Sequence, residues 1–315
     1  MGAVYYELDE APHTDSRVIS VGNFDGFHVG HKAIIDGVMN SVGPLGAEGL
    51  LVTFRPHPRY LIAPESAPQL ILTPEEELET LREVFPGDIL LMKFDETIRN
   101  MSARQFIETI LIRRLSLKAL VSGENNTIGK DRVGDRDRLR QLSAELGFEF
   151  VVVNPVKFDS DVVSSTAIRR FIADGDLPAA NRLLETPYRI SGEVIRGMGL
   201  GRKLGYPTAN LEFNQFKALP KEGVYAADVK VNDEVFGCMM FVGRNYLNPE
   251  EAFSVEAHIL GFDRDIYGDV ITYYPFEFVR ENLPIRTTDE LVEQLGKDKI
   301  AIECIMKTKE TSGVC

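Results

Sequence analysis

Ser20-Val21-Gly22-Asn23-Phe24-Asp25-Gly26-Phe27-His28-Val29-Gly30-His31 follows a short β-branched run, Val18-Ile19, and precedes an apolar pattern ending near Val42. That succession predicts a strand, a tight glycine loop and a helix. A helix start offers unpaired backbone N–H groups and the positive end of a dipole, so it suits phosphate. His28 and His31 stand three residues apart with small glycines beside them, Gly26 before and Gly30 between. Such imidazoles can lie close to a bound anion and donate hydrogen bonds to phosphate oxygens as charge builds in a transition state. A metal site is the weaker reading, because no Cys, Asp or Glu stands at an obvious ligand spacing beside them.

The same succession recurs downstream. Leu50 to Phe54, Asp88 to Phe94, Lys118 to Gly123 and Phe148 to Val153 read as further strands. Between them, Thr73-Pro74-Glu75-Glu76 opens a helix, with Thr as N-cap, Pro in the first turn and acids against the dipole. The acid run is expected on a solvated helix face. Ser102 caps a helix running through Leu115, and Arg136 to Leu146 forms a charged one. Strands alternating with helices imply βαβ units and a parallel sheet covered on both faces. Such sheets bind ligands in loops at the ends of their strands. Arg55, His57 and Arg59 in Arg55-Pro56-His57-Pro58-Arg59 are therefore candidates to face a phosphate, against a plain solvated loop.

A chain of 315 residues is long enough for two domains, and 44% hydrophobic residues is ordinary for a globular protein. The net charge of −13 argues against a general nucleic-acid binder, since no basic excess exists to neutralise a phosphate backbone. Cys238, Cys304 and Cys315 show no disulfide-framework spacing, which favours a reduced cytosol. No leader pattern opens the chain and no apolar run approaches 18 residues, so a cytoplasmic protein with no membrane partner is expected. The sequence leaves open whether the chain forms a homo-oligomer.

A second phosphate-competent stretch is Val163-Ser164-Ser165-Thr166-Ala167-Ile168-Arg169-Arg170. Hydroxyls at a helix start cap the backbone or hold phosphate oxygens, and Arg169 supplies a planar fork suited to phosphate. His-x-Gly-His opening a helix after a strand resembles the signature of the nucleotidyltransferase superfamily. With Ser-Ser-Thr-x-Ile-Arg some 130 residues on, the pair resembles the FMN adenylyltransferase half of prokaryotic bifunctional riboflavin kinase/FAD synthetases. The resemblance implies that His28 and His31 steady the α- and β-phosphates of ATP during adenylyl transfer. It implies that Ser164, Ser165, Thr166 and Arg169 form a phosphate clamp. Asn23 and Asp25 fall in the Gly-Asn-Phe-Asp-Gly turn, Asp25 orienting the nucleotide or Mg²⁺, and Asn125 falls in a flavin-binding loop. Asn126 and Ile128 stand where that loop usually carries aromatic residues, which stack on flat rings better than Asn or Ile.

Asp174-Gly175-Asp176-Leu177-Pro178 punctuates the helical region, and Thr186-Pro187 ends it. Periodicity turns strand-like from Tyr188, so the domain boundary is expected near residue 186, giving residues 1–186 and 187–315. The next run is Gly197-Met198-Gly199-Leu200-Gly201-Arg202-Lys203-Leu204-Gly205-Tyr206-Pro207-Thr208-Ala209-Asn210. It is not a dinucleotide fingerprint, since no helix pattern follows, and it lacks the Gly-Lys-Ser/Thr of a P-loop. Thr208 and Asn210 put oxygen-bearing side chains beside flexible glycine backbone, which suits Mg²⁺ and nucleotide phosphates. Strands over 223–231, 234–242, 253–260 and 270–278, with tight turns such as Asn232-Asp233, predict a small antiparallel barrel. Thr288-Asp289-Glu290-Leu291 caps a helix to about Met306, followed by a tail expected to be disordered.

The glycine run with Pro-Thr-Ala-Asn resembles the riboflavin kinase domain of the same bifunctional family. That implies phosphate-binding roles for Gly197, Gly199, Gly201 and Arg202, and Mg²⁺ ligation by Thr208 and Asn210. Glu256, in Val255-Glu256-Ala257-His258, matches the family's general base, and Asp263-x-x-Ile266-Tyr267-Gly268 its barrel-closing turn. Gly243-Arg244-Asn245-Tyr246 departs from the usual Gly-x-x-Pro-Thr. The resemblance thus implies an α/β chain: a Rossmann-like nucleotidyltransferase domain, then an antiparallel β-barrel riboflavin kinase domain with a terminal helix. It implies ATP, riboflavin, FMN and FAD as substrates or products. The competing readings are a chain with only the kinase half live, and an inert flavin-binding regulator.

Overall fold

The computed structural model describes residues 2–130, 135–158, 161–244 and 253–312. The Asn245-Tyr246 departure and Cys315 lie outside them. The chain divides into two units, Met1–Pro68 with Leu72–Ser165, and Gln69–Ile71 with Thr166–Cys315.

The first unit is built on six strands: β1 (Val4–Tyr5), β2 (Arg17–Val21), β3 (Glu48–Arg55), β4 (Asp88–Lys93), β5 (Leu117–Gly123) and β6 (Glu149–Val153). They pair in the order β1-β4-β3-β2-β5-β6, parallel throughout. The helices are α1 (Val29–Leu45), α2 (Pro58–Ile62), α3 (Pro74–Val84), α4 (Glu96–Arg99), α5 (Ala103–Phe106) and α6 (Arg136–Leu146). Alternate strand residues point to opposite faces, and both faces are covered. Ile19, Val21, Leu50, Val52 and Leu120 pack with Phe106, Leu111 and Leu139. Val18, Leu51, Ile89 and Val121 pack with Ile35, Val38 and Leu81 on the other side. A strand buried on both faces reads as a continuous apolar run, which is why Val18-Ile19 and Leu50-Leu51-Val52 carry no alternation.

The order of the sheet reverses at β2, which pairs with β3 on one edge and β5 on the other. Open α/β sheets bind ligands beyond the carboxyl ends of strands at such a switch point. The loop holding His28 leaves β2 there, and the loop holding Asn125 leaves β5. Asn126 Nδ2 donates to Val21 O at 2.8 Å and ties the second of these loops to the end of β2.

Helix starts follow their capping residues. Thr73 Oγ1 accepts from Glu76 N at 3.3 Å while Thr73 N donates to Glu76 Oε2 at 2.9 Å, a complete capping box. Thr73→Ala should lower stability by about 1 kcal/mol, read as a lower urea midpoint with an unchanged slope. Ser102 and Gln105 form a second box opening α5, which passes into a π-helical turn over Ile107–Ile112. One expectation is overturned in part here. Glu75, Glu79 and Glu83 of α3 are exposed, but Glu76 is 2% exposed and Glu77 8%, so the acid run is not wholly a solvated face. Glu76 serves the cap, and Glu77 is claimed by residues 24 and 53 positions away in sequence.

A two-stranded ribbon follows, β7 (Lys157–Phe158) with β8 (Asp161–Val162), then α7 (Ser165–Asp174) and α8 (Leu177–Leu183). The second unit then closes a six-stranded barrel in the order β10-β13-β12-β11-β14-β9. Its members are β9 (Ile190–Ile195), β10 (Ala209–Phe213), β11 (Gly223–Val231), β12 (Glu234–Gly243), β13 (Ser254–Ile259) and β14 (Val270–Glu281). All its pairings are antiparallel. A single helical turn, α9 (Leu200–Lys203), forms inside the glycine run where none was expected. The terminal helix α10 (Thr288–Ser312) packs Leu295, Ile302, Ile305 and Met306 on Val224, Ala226 and Met239. It continues through 307–312, which the sequence reading assigned to a disordered tail. Lys309 binds Asp228 and stands over the ring of Phe276 at 4.3 Å, contacts that hold the last turns down.

Candidate functional site

In the first unit the turn after β2 builds the site. Gly26 has a φ of 79°, a left-handed conformation that glycine adopts without strain. His28 is the N-cap of α1, its Nδ1 accepting from Gly30 N at 3.1 Å and His31 N at 3.3 Å. Those two helix N–H groups are therefore occupied, and the backbone offers less to a phosphate than the sequence alone suggests. A nitrogen that accepts carries no proton, so the neutral ring of His28 holds its proton on Nε2. Gly30 makes room for that ring: a Cβ there would lie 3.0 Å from it.

The rings of His28 and His31 stack at 3.7 Å between centroids, and Phe24 meets His31 edge-on at 5.4 Å. Burial first, then the neighbouring His28, holds the His31 imidazole well below its ordinary pKa, so it is neutral at pH 7. His31 Nδ1 and Asn23 Oδ1 are both buried without a hydrogen-bond partner among the described residues. Buried polar atoms are nearly always satisfied, so these two orphans, one in the turn and one in the first turn of α1, make this a candidate ligand site.

Asp25 is 4% exposed, and its Oδ1 accepts from Leu72 N at 2.8 Å. Ser165 Oγ donates to Asp25 O at 2.9 Å, which brings the serine pair to the turn. Ser164 and Ser165 belong to the first unit, Thr166 and Arg169 to the second. In the latter, Arg169 Nε donates to Gln69 O at 2.6 Å. Arg55 points to Glu77 at 3.3 Å and donates to Pro74 O at 2.7 Å, structural partners that the expectation of a phosphate contact did not foresee. His57 caps α2, accepting from Arg59 N at 3.2 Å. Asn125 is exposed in the turn after β5. Of the two non-aromatic neighbours, Asn126 braces β2 and Ile128 is buried in the core.

Glu77 was missed. Burial raises its pKa, and its partners, Arg55 foremost, oppose that rise. Nothing local in sequence distinguishes it from Glu75 and Glu79, which are exposed.

In the second unit the barrel carries a cavity of 290 Å³. Gly197, Gly199, Gly201, Thr208, Asn210 and Glu256 all line it, so distant motifs converge. Asn210 pairs directly across from Glu256 between β10 and β13. Thr208 Oγ1 donates to a Glu256 carboxylate oxygen at 2.8 Å, and the Asn210 amide lies 3.5 Å from the same hydroxyl. Gly197 approaches the Asn210 amide so closely that a Cβ would lie 2.6 Å from it. Val224, Met239, Phe241, Leu283 and Leu291 form an apolar wall. Arg202 is exposed and lines a neighbouring cavity of 310 Å³ together with Pro207 and Thr208.

Flanking residues fix this strap. His258 Nδ1 lies 2.9 Å from Pro207 O, and since a carbonyl only accepts, Nδ1 carries the proton. Tyr273 Oη donates to Ala209 O at 2.8 Å. Arg280 makes a two-pronged pair with Asp298 of α10 at 2.8 and 2.6 Å, binding the helix to the cavity rim. The oxygen set of Thr208, Asn210 and Glu256 fits Mg²⁺, which prefers a few hard protein donors completed by phosphate and water. No cluster of three or more His, Cys, Asp or Glu suited to a metal occurs among the described residues.

Two family models match the chain: FAD synthetase over residues 10–167, and riboflavin kinase over residues 184–306. A bifunctional riboflavin kinase/FMN adenylyltransferase from Listeria monocytogenes is 34% identical over 286 residues, covering 90% of each chain. Its counterpart from Escherichia coli K12 is 30% identical over 296 residues, covering 94% of each. A solved structure described as a macrolide-efflux protein from Streptococcus pneumoniae has a TM-score of 0.82 and 28% identity. It covers 96% of this chain and 99% of that one. No helix among the described residues is long and apolar enough to cross a membrane.

Proposed function

The chain belongs to the bifunctional riboflavin kinase/FMN adenylyltransferase family, and from that membership we propose a division of labour between its two units. The second unit converts riboflavin and ATP to FMN and ADP. The first converts FMN and ATP to FAD and pyrophosphate. The catalytic halves are residues 1–186 and 187–315; residues 168–183, near the end of the first, are covered by neither family match. One observation carries the kinase assignment: Thr208, Asn210 and Glu256 converge in one cavity that also has an apolar wall.

Glu256 is the general base of the kinase step. It takes the proton of the riboflavin 5′-hydroxyl as that oxygen bonds to the γ-phosphorus and the bond to the β,γ-bridging oxygen breaks. The backbone at Gly197, Gly199 and Gly201, with Arg202, holds the phosphates. Thr208 and Asn210 hold Mg²⁺, which supplies charge neutralisation when bound. The apolar wall takes the flavin ring and excludes water.

In the other unit an oxygen of the FMN phosphate bonds to the α-phosphorus of ATP, and the bond to the departing pyrophosphate breaks. His28 donates through Nε2–H, and His31 donates from its buried ring, to the oxygens on which charge grows. Asn23, Asp25, Gly26 and Gly30 shape the turn around the triphosphate. Ser164 and Ser165 clamp it, and Asn125 faces the flavin. Both steps are in-line displacements at phosphorus, so positioning and charge neutralisation carry them. The partners are small flavins and ATP rather than nucleic acid or membrane, and the compartment is the cytoplasm. The retained catalytic sets in both units favour two live halves over one.

Purified protein given riboflavin, ATP and Mg²⁺ should yield FMN and then FAD on chromatography. Accumulation of FMN alone would overturn the two-step reading.

A further inference from the structure

Glu77 is a buried ionisable group that the mechanism above leaves without a task. It lies in the first turn of α3, where a carboxylate gains from the helix dipole while exposed. This one is 8% exposed. Removing a carboxylate from water costs several kcal/mol unless hydrogen bonds and a counter-charge replace the lost hydration. The replacements come from two other elements. Oε1 accepts from Phe24 N at 3.2 Å, in the turn after β2, and from Thr53 Oγ1 at 3.1 Å, on β3. Oε2 faces Arg55 Nη2 at 3.3 Å, and Arg55 is itself anchored to Pro74 O.

The bond to Phe24 N matters most. It fixes the main chain of the turn between Asn23, with its orphaned oxygen, and Asp25, which is tied to Leu72 N. The Phe24 ring it steers lies edge-on against His31. Glu77 thus stands one residue from the imidazole pair without lying in the turn that carries it. A cap role does not explain it, because the capping box of α3 is already complete in Thr73 and Glu76.

We propose that Glu77 is a positioning residue for adenylyl transfer: its carboxylate holds the Phe24 backbone, and through the Phe24 ring it sets where His31 stands. This rests on the reading that the first unit transfers the adenylyl group. Displacing a reacting constellation by about 1 Å can cost on the order of 10²-fold in rate, so the effect belongs in kcat.

The test uses the full-length protein with Glu77→Gln, which keeps the size and one carbonyl acceptor, and Glu77→Leu, which keeps neither acceptor. FAD formation from supplied FMN should fall in kcat by about 10-fold for Gln and about 10²-fold for Leu, with KM for FMN and ATP within about twofold. The His31 ring resonances should move in both variants, and FMN formation from riboflavin on the same samples should not change. Glu76→Gln is the control, expected to lower stability without touching kcat. Wild-type kcat in the Gln variant, or a raised KM with kcat intact, would overturn the proposal while leaving adenylyl transfer standing. A wild-type chain that makes no FAD would overturn both.

Discussion

Glu256→Gln should lower FMN formation by about 10²- to 10⁴-fold and leave conversion of supplied FMN to FAD at the wild-type rate. The substitution is nearly isosteric. Its carbonyl oxygen still accepts from the Thr208 hydroxyl, which now bonds the carboxylate at 2.8 Å, and β13 keeps its pairing with β10. What disappears is the capacity to take a proton. A positioned general base contributes about 10²- to 10⁴-fold, so riboflavin turnover should fall into that range of loss. Binding is expected to change far less, because the apolar wall of the cavity is untouched. Following both products by chromatography on one sample separates the steps. If FAD formation from FMN fell together with FMN formation, the assignment of one step to each unit would be wrong.

The architecture was legible wherever the signal was local. Val18-Ile19 followed by Gly22 and Gly26 marked strand then turn, and the helix after His28 follows from its capping position. Thr73-Pro74 and Ser102 marked helix starts that the structure contains. The misreadings arose where a distant partner decides the outcome. Glu75-Glu76-Glu77 looks uniform in sequence, yet Glu77 is buried because Phe24, Thr53 and Arg55 converge on it. Arg55 resembled a phosphate ligand for the same reason in reverse, its partner being a carboxylate not recognisable as buried.

The terminal helix was cut short for an equal reason. Polar residues from 307 onward suggest solvent, but Asp228 on β11 lies within reach of Lys309. The functional motifs were readable as short runs, because their chemistry can be stated without tertiary knowledge. The convergence of Gly197, Thr208 and Glu256 on one cavity was not readable from spacing, because strand register creates it. His258 and Asp298, which brace that cavity, gave no local signal at all.

His31→Ala should lower FAD formation by about 10²- to 10³-fold, the usual loss when one preorganised donor to a developing negative charge is removed, while FMN formation stays at its wild-type rate. The ring is also poised in its ionisation. Burial and the adjacent His28 depress its pKa well below the ordinary histidine value. Between that depressed value and about 6.5, the unfolded chain binds a proton that the folded chain refuses. Stability from this group is therefore complete above about pH 6.5 and is lost as pH falls toward the folded pKa. Thermal melts taken from pH 7.5 down to pH 5 should show wild type losing stability more steeply than His31→Ala, which lacks the group. The phosphates of ATP act in the opposite direction, favouring the charged imidazole. Equal acid sensitivity in the two proteins would mean that burial does not hold the His31 ring neutral.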